Sequence, residues 1–293
     1  MVASLERLRT AFRVIRGNLK IGVGASMLMF LVFLALLGPI IYNSRFPRDP
    51  TIPGTFYPSL YPSPEHPLGT DHYGRDILAL TLVGLGNSLV VGAVGGLFAT
   101  LIAVVIGFTA GYKGGLTDHV LRSLIDTLLV IPTWPIFATL AAYVTIRSMV
   151  AFGLLIAIFS WPGAARAIRS QVLSLREREF VKLALMTNLR TYEIVFFELM
   201  PNILPYIIVS FSYAMMGAIM AETGLRFLGL GPPDIPTLGY LINIYIPMGY
   251  LSLMPLTMVV IIALLAMIFI ALNLINVGLD EYFNPRLKKV TGM

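Results

Sequence analysis

The chain has no cysteine in its 293 residues, so neither a disulfide nor thiol chemistry serves it. Charge is scarce. Asp, Glu, Lys and Arg make up 12% of the residues, where a soluble domain carries roughly 25%, and this leaves no room for a sizeable soluble domain. Histidine is limited to His66, His72 and His119, all in loops or near helix ends. An intramembrane enzyme needs a buried nucleophile with a base, and these positions do not supply one. No Gly-x-x-x-x-Gly-Lys-Ser/Thr phosphate loop occurs, so the chain is not expected to hydrolyse ATP. No charged pore motif and no strong internal repeat is found, which counts against a stand-alone ion channel or a secondary transporter. The net charge of +6 is scattered over loops and does not suggest nucleic acid.

What is present is apolar. Hydrophobic residues make up 57% of the chain and the mean hydropathy is +0.83. The apolar runs are about 20 residues long and do not alternate, the signature of membrane-spanning helices. Six spans are expected: Ile21–Tyr42, Ile77–Ala110, Leu121–Val144, Ser148–Trp161, Ile203–Ala221 and Leu251–Leu274. The first is too long for a signal-peptide core and is read as retained. Residues 1–20 place Leu5, Leu8, Phe12 and Ile15 at helical spacing with arginines on other faces. This fits an interfacial amphipathic helix or a plain topogenic tail. The expected fold is all-α and integral to the membrane. A polar outer loop covers 43–76, a five-helix core 77–280 and a tail 281–293. Both termini fall on the cytoplasmic side, because most Lys and Arg then lie inside.

Several polar groups interrupt the oil. Asp76 is a plausible N-cap for the helix starting at Ile77. His66 and His72 with Asp71 and Asp76 could suggest a metal, but no spacing matches a helical His pair, so turn and cap roles are preferred. Arg122 and Asp126 lie four apart, and Pro132 and Pro135 should kink their helix. Glu222 with Arg226 reads as a second local ion pair. Asp126, Glu222 and Arg226 are the candidates for a gate or a structural motif. Glycines at 84, 86, 92, 95 and 96 let helix backbones approach closely.

The longest charged stretch is Glu177–Asn202. Each charge near a bilayer centre costs ~2.5–3.5 kcal/mol on insertion scales, so this stretch must project into water, where a structured loop usually meets a partner. Phe180, Leu183, Ala184 and Thr187 form one side of a short helix. Asn188 suits a left-handed end to it, and Thr191 can cap the next helix with Glu193 in its first turn.

This stretch resembles the EAA loop of permease subunits in binding-protein-dependent ABC importers. Lys182-Leu183-Ala184 stands at the Glu-Ala-Ala position, Asn188 at the glycine, and Ile194 and Pro201-Asn202 at matching places. His66-Pro-Leu-Gly-Thr-Asp71 with Gly74-Arg75-Asp76 resembles a signature of the dipeptide/oligopeptide/nickel subfamily. So do Ala165-Arg166 through Ser174, Glu222 through Pro233, and Leu272–Leu274 with Asn284–Leu287. Lys182 replaces an acid, and Leu238 stands where tryptophan is frequent.

The resemblance implies a half-pore of the type I importer kind. A second homologous permease subunit, two ATP-binding subunits, an extracellular solute-binding protein and membrane lipids are the implied partners. No cofactor is expected in this chain, since ATP and magnesium belong to the ATP-binding subunits. The implied coupling residues are Phe180, Val181, Lys182, Leu183, Ala184, Met186, Asn188 and Arg190. Peptides are the default cargo, with oligosaccharides or nickel chelates as alternatives.

Overall fold

The computed structural model describes residues 18–143, 146–187 and 189–283. The expected helix before Asn18, the turn residue Asn188 and the tail beyond Phe283 lie outside these. Among the described residues all regular structure is helical, apart from one isolated bridge between Thr70 and Asp76. In order come α1 (Leu19–Asn43), α2 (Ile77–Lys113), α3 (Gly115–Val130), α4 (Thr133–Tyr143), α5 (Met149–Ser160), α6 (Pro162–Arg176) and α7 (Glu179–Met186). They are followed by α8 (Thr191–Phe227), α9 (Leu238–Tyr245), α10 (Tyr250–Leu253) and α11 (Pro255–Phe283).

Four of these, α1, α2, α8 and α11, are individually long and apolar enough to cross a membrane. The bent pairs α3–α4 and α5–α6 bring the number to six if each pair is one span. Helix α2 has 37 residues. At ~1.5 Å per residue it is far longer than the ~20 residues a hydrocarbon core requires.

The breaks have local causes. Pro132 lacks an N–H and forces its neighbour out of the helical region, and Ile131 is extended at φ −72°, ψ 124°. The expected kink is therefore a full interruption, with a 77° bend between α3 and α4. Pro162 sits in the first turn of α6, where a missing N–H costs nothing, and the α5–α6 bend is 53°. The polar turn expected over 111–118 narrows to Gly114, whose φ of +67° an L side chain rarely adopts. The fifth span runs further than expected at both ends. It opens as a helix at Thr191 and includes a π-helical stretch, Ile194–Leu199, in which Met200 N–H bonds the Val195 carbonyl. The last helix starts at Pro255 rather than Leu251, and the short helix α9 was not foreseen.

The chain divides into two compact units. One draws on the segments up to Val91, Ala141–Met149 and from Ile219 onward; the other is Gly92–Leu140 with Val150–Ala218. In the first unit α1 packs along α11. A Cβ on Gly24 would lie 2.7 Å from the Ala271 carbonyl, so the helices touch backbone to backbone. Asn18 caps α1 through Lys20 N at 2.9 Å and reaches Gly278 O at 3.2 Å, while Lys20 pairs with Glu281. In the second unit Gly107 lets α2 meet α6, where a Cβ would lie 2.9 Å from the Ala165 carbonyl. Its core joins Ala103, Ile125, Trp161, Ile168, Val172, Val181, Ala184, Ile194 and Leu199.

Candidate functional site

Helix α7 is built to be held on one side and open on the other. Arg178 precedes it in extended conformation, and the helix ends with Thr187 Oγ1 donating to the Ala184 carbonyl at 2.9 Å. Leu189 N returns to the same carbonyl at 3.3 Å. The next helix opens with the Glu193 carboxylate accepting from Arg190 N at 2.7 Å, so Arg190 is the capped residue and Thr191 is already helical. Val181 and Ala184 are buried in the core of this unit, and Phe180 packs partly against it. These residues anchor α7; Val181 and Ala184 do not face outward as the sequence reading had them. The reason is the helical period: positions 181 and 184 share a face with the residues that must meet α6 and the start of α8.

The outward surface is apolar all the same. Leu183 is 61% exposed, Met186 81% and Leu185 55%, with Phe196 and Phe197 exposed beyond them. Lys182 stands at the edge, 3.9 Å from Glu177. Arg176 donates to the Tyr112 carbonyl at 3.0 Å and so ties the entry to α7 back to the end of α2. An apolar patch rimmed by charges is the kind of surface that suits a partner.

Two further clusters involve the gate candidates. In the first unit Glu222 and Arg226 are both buried, with Arg226 Nε 3.0 Å from Glu222 Oε1. Thr237 donates to the same oxygen at 2.6 Å, and Arg226 also donates to the carbonyls of Pro232 and Ile235. Asn243 donates to the Arg226 carbonyl. The network fixes the 228–237 loop and the start of α9 to the end of α8. Leu238, the departure from tryptophan, is fully buried, and its N–H donates to Ser88 Oγ at 3.0 Å. Thr237 and Asn243 were not anticipated, although a Thr just before an apolar run is a cap signal. In the second unit Asp126 meets both Arg122, at 3.6 Å, and Arg166, with all three side chains well exposed. Arg169 binds Asp118 with two hydrogen bonds.

The polar residues of the 43–76 loop fall into cap and turn roles. Asp76 accepts from Ala79 N at 2.8 Å, the N-cap bond, and its other oxygen meets Tyr42 OH at 3.0 Å and His66 Nδ1 at 2.7 Å. Asp71 accepts from the backbone of Tyr73 and Arg75 and from the Arg75 side chain. The His72 ring nitrogens are buried, and burial holds the ring below the usual imidazole range. Asp71 opposes that shift and Arg75 adds to it.

Residues 103–289 match the family described as the binding-protein-dependent transport system inner membrane component. The chain is 32% identical over 234 residues to the oligopeptide transport system permease protein OppC of Mycobacterium tuberculosis, covering 78% of each. It is 30% identical over 307 residues to the dipeptide transport system permease protein DppC of Bacillus subtilis, covering 98% of this chain and 88% of that one. A probable peptide ABC transporter permease of Sinorhizobium fredii is 32% identical, covering 96% and 94%. Among solved structures, the inward-facing MetNI methionine ABC transporter superposes with a TM-score of 0.54 at 18% identity, covering 70% of this chain and 95% of that one. That likeness concerns the fold.

Proposed function

The chain belongs to the family of binding-protein-dependent transport inner membrane components, and from that premise we propose that it is the pore-forming permease subunit of an ATP-driven importer of di- and oligopeptides. It contributes half of a translocation path and pairs with a second, homologous permease. Two ATP-binding subunits dock from the cytoplasm, and a solute-binding protein delivers cargo from outside. Both termini are cytoplasmic, which puts α7 on the side where ATP is hydrolysed. The chain itself does no hydrolysis. The names of its oligopeptide and dipeptide relatives support the peptide assignment.

The observation that carries this reading is the two-sidedness of α7. One face is fixed into the chain's own core by Val181 and Ala184. The other offers Leu183, Leu185 and Met186 to a partner groove. A nucleotide-driven movement reaches the permease only if the two states of the ATP-binding subunits hold this helix with different affinity. A helix anchored on one side transmits such a force; a loose loop absorbs it. Phe180, Lys182 and Arg190 stand at the rim of the contact, and Asn188 belongs to the same motif.

The test is Met186→Glu in the co-expressed complex. Met186 is 81% exposed, so the chain should accumulate normally. A charge facing an apolar groove should lower recovery of the ATP-binding subunits about tenfold or more, as a desolvated hot-spot contact would. Unchanged recovery and unchanged peptide uptake would falsify the assignment of α7. A complex that assembles but takes up oligosaccharide or a nickel chelate in place of peptide would keep the machinery and replace the cargo.

A further inference from the structure

Helix α3 carries a polar stripe left uncovered among the described residues. His119, Arg122, Ser123, Asp126 and Thr127 recur at three- and four-residue intervals, which places them on one helical face. With Val130 they line a surface cavity of about 560 Å³. A second cavity of about 310 Å³ shares Arg122 and Asp126 with the first and adds Ile125, Arg166, Arg169 and Ser170. Both lie wholly within the second compact unit.

The charges in these cavities are unevenly matched. Arg169 is committed to Asp118 through two hydrogen bonds. Asp126 takes a hydrogen bond from Arg166, and Arg122 approaches it only to 3.6 Å, beyond ordinary hydrogen-bond length. Two guanidinium groups thus face one carboxylate, and most of the Arg122 donors remain for a ligand. The stripe also lies on one arm of a candidate bent span. Charges turned to lipid there are costly, so the face belongs to water or to protein.

We propose that this stripe is a transit site for the transported peptide. The Arg122 guanidinium, with Arg166 beside it, receives the peptide's C-terminal carboxylate, a pairing that planar guanidinium donors make well. Asp126 and the hydroxyls of Ser123 and Thr127 receive its N–H groups. The larger cavity falls in the range that holds small ligands. An uncharged oligosaccharide offers hydroxyl acceptors but no anion to balance the surplus guanidinium. The assignment rests on the peptide-importer reading. A phospholipid headgroup carries related oxyanion chemistry, and the experiment separates the two sources.

The chain lacks cysteine, so an introduced thiol is the single one in this subunit, and the adduct is read on this subunit alone. The complete complex, with Ser123→Cys in this chain, is reconstituted in liposomes and supplied with tri-alanine carrying a thiol-reactive group at its amino end. An adduct at position 123 that requires both ATP and the binding protein is expected. Adding Arg122→Gln should cut both the adduct and tri-alanine uptake about tenfold, the scale of a lost charge-assisted hydrogen bond, with samples matched for assembled complex. Leu124→Cys, exposed on α3 outside the stripe, should stay unlabelled. Equal labelling at both positions, labelling without ATP, or full uptake by Arg122→Gln overturns the site. So does an Arg122→Gln defect that disappears in vesicles lacking anionic lipid, since the headgroup is then the ligand. A wild-type complex that moves no peptide removes the importer reading itself, whereas normal wild-type uptake with an indifferent Arg122→Gln removes only the site.

Discussion

Two ion pairs in this chain have the same spacing and opposite surroundings. Arg122 and Asp126 lie four apart on α3, and Glu222 and Arg226 lie four apart on α8. In the second pair both groups are buried, and the arginine also holds two loop carbonyls. In the first pair both side chains are well exposed, and another arginine competes for the carboxylate. The acid precedes the base on α8 and follows it on α3, and only the former order agrees with the helix dipole. A buried network tied to loop carbonyls fixes structure. An exposed, incompletely matched one is free to meet a ligand.

The sharpest way to break the contrast is to remove one arginine from each pair. Arg226→Ala leaves the Glu222 carboxylate buried beside only the Thr237 hydroxyl. Thermal unfolding of the purified complex should reveal a loss of about 3–5 kcal/mol, the usual result of orphaning a buried charge. Replacing both members, Glu222→Leu with Arg226→Met, should recover part of that loss, because two apolar groups leave no bare charge.

Gly239→Ala probes the packing around the same buried network. Its Cβ would lie 2.7 Å from Thr223 Cα and 3.0 Å from Glu222 Oε2. Backbone cannot yield as a flexible side chain can, so a destabilisation of about 1–3 kcal/mol is expected from overpacking. Denaturant titration of the complex would measure it. No destabilisation would mean that α9 is free to shift, and the network would not be the fixed element described above.

Asp126→Asn should behave in the opposite way. Its carboxylate is exposed, so the unfolding temperature of the complex should not move. A clear drop would make the α3 cluster structural and erase the contrast.

The smallest expected effect concerns the 43–76 loop. His72 is held below its ordinary range by burial, so the folded state resists its protonation. The stability it permits is present above the unfolded pKa of about 6.5 and declines as pH falls through that value toward the folded one. Melting curves from neutral to mildly acidic pH should show a slight decline that His72→Gln removes.

The sequence alone determined the class of the molecule. Non-alternating apolar runs of about twenty residues are the signature of membrane helices. The Asp76 cap could also be read directly, because it acts on a backbone group three residues on, whereas the next cap falls at Arg190 and not at the expected Thr191. What the sequence could not supply was which side of a helix is free. The contact face expected of α7 included Val181 and Ala184, which the fold buries, and gave no place to Leu185, which it exposes. Likewise, four-residue spacing announced two ion pairs without distinguishing them. Arg166, forty positions from Asp126, and Thr237, fifteen from Glu222, decided their characters. Local chemistry acts over one helical turn and is written in the order of residues. Burial and pairing depend on groups brought together from distant segments, and only the tertiary structure specifies those meetings.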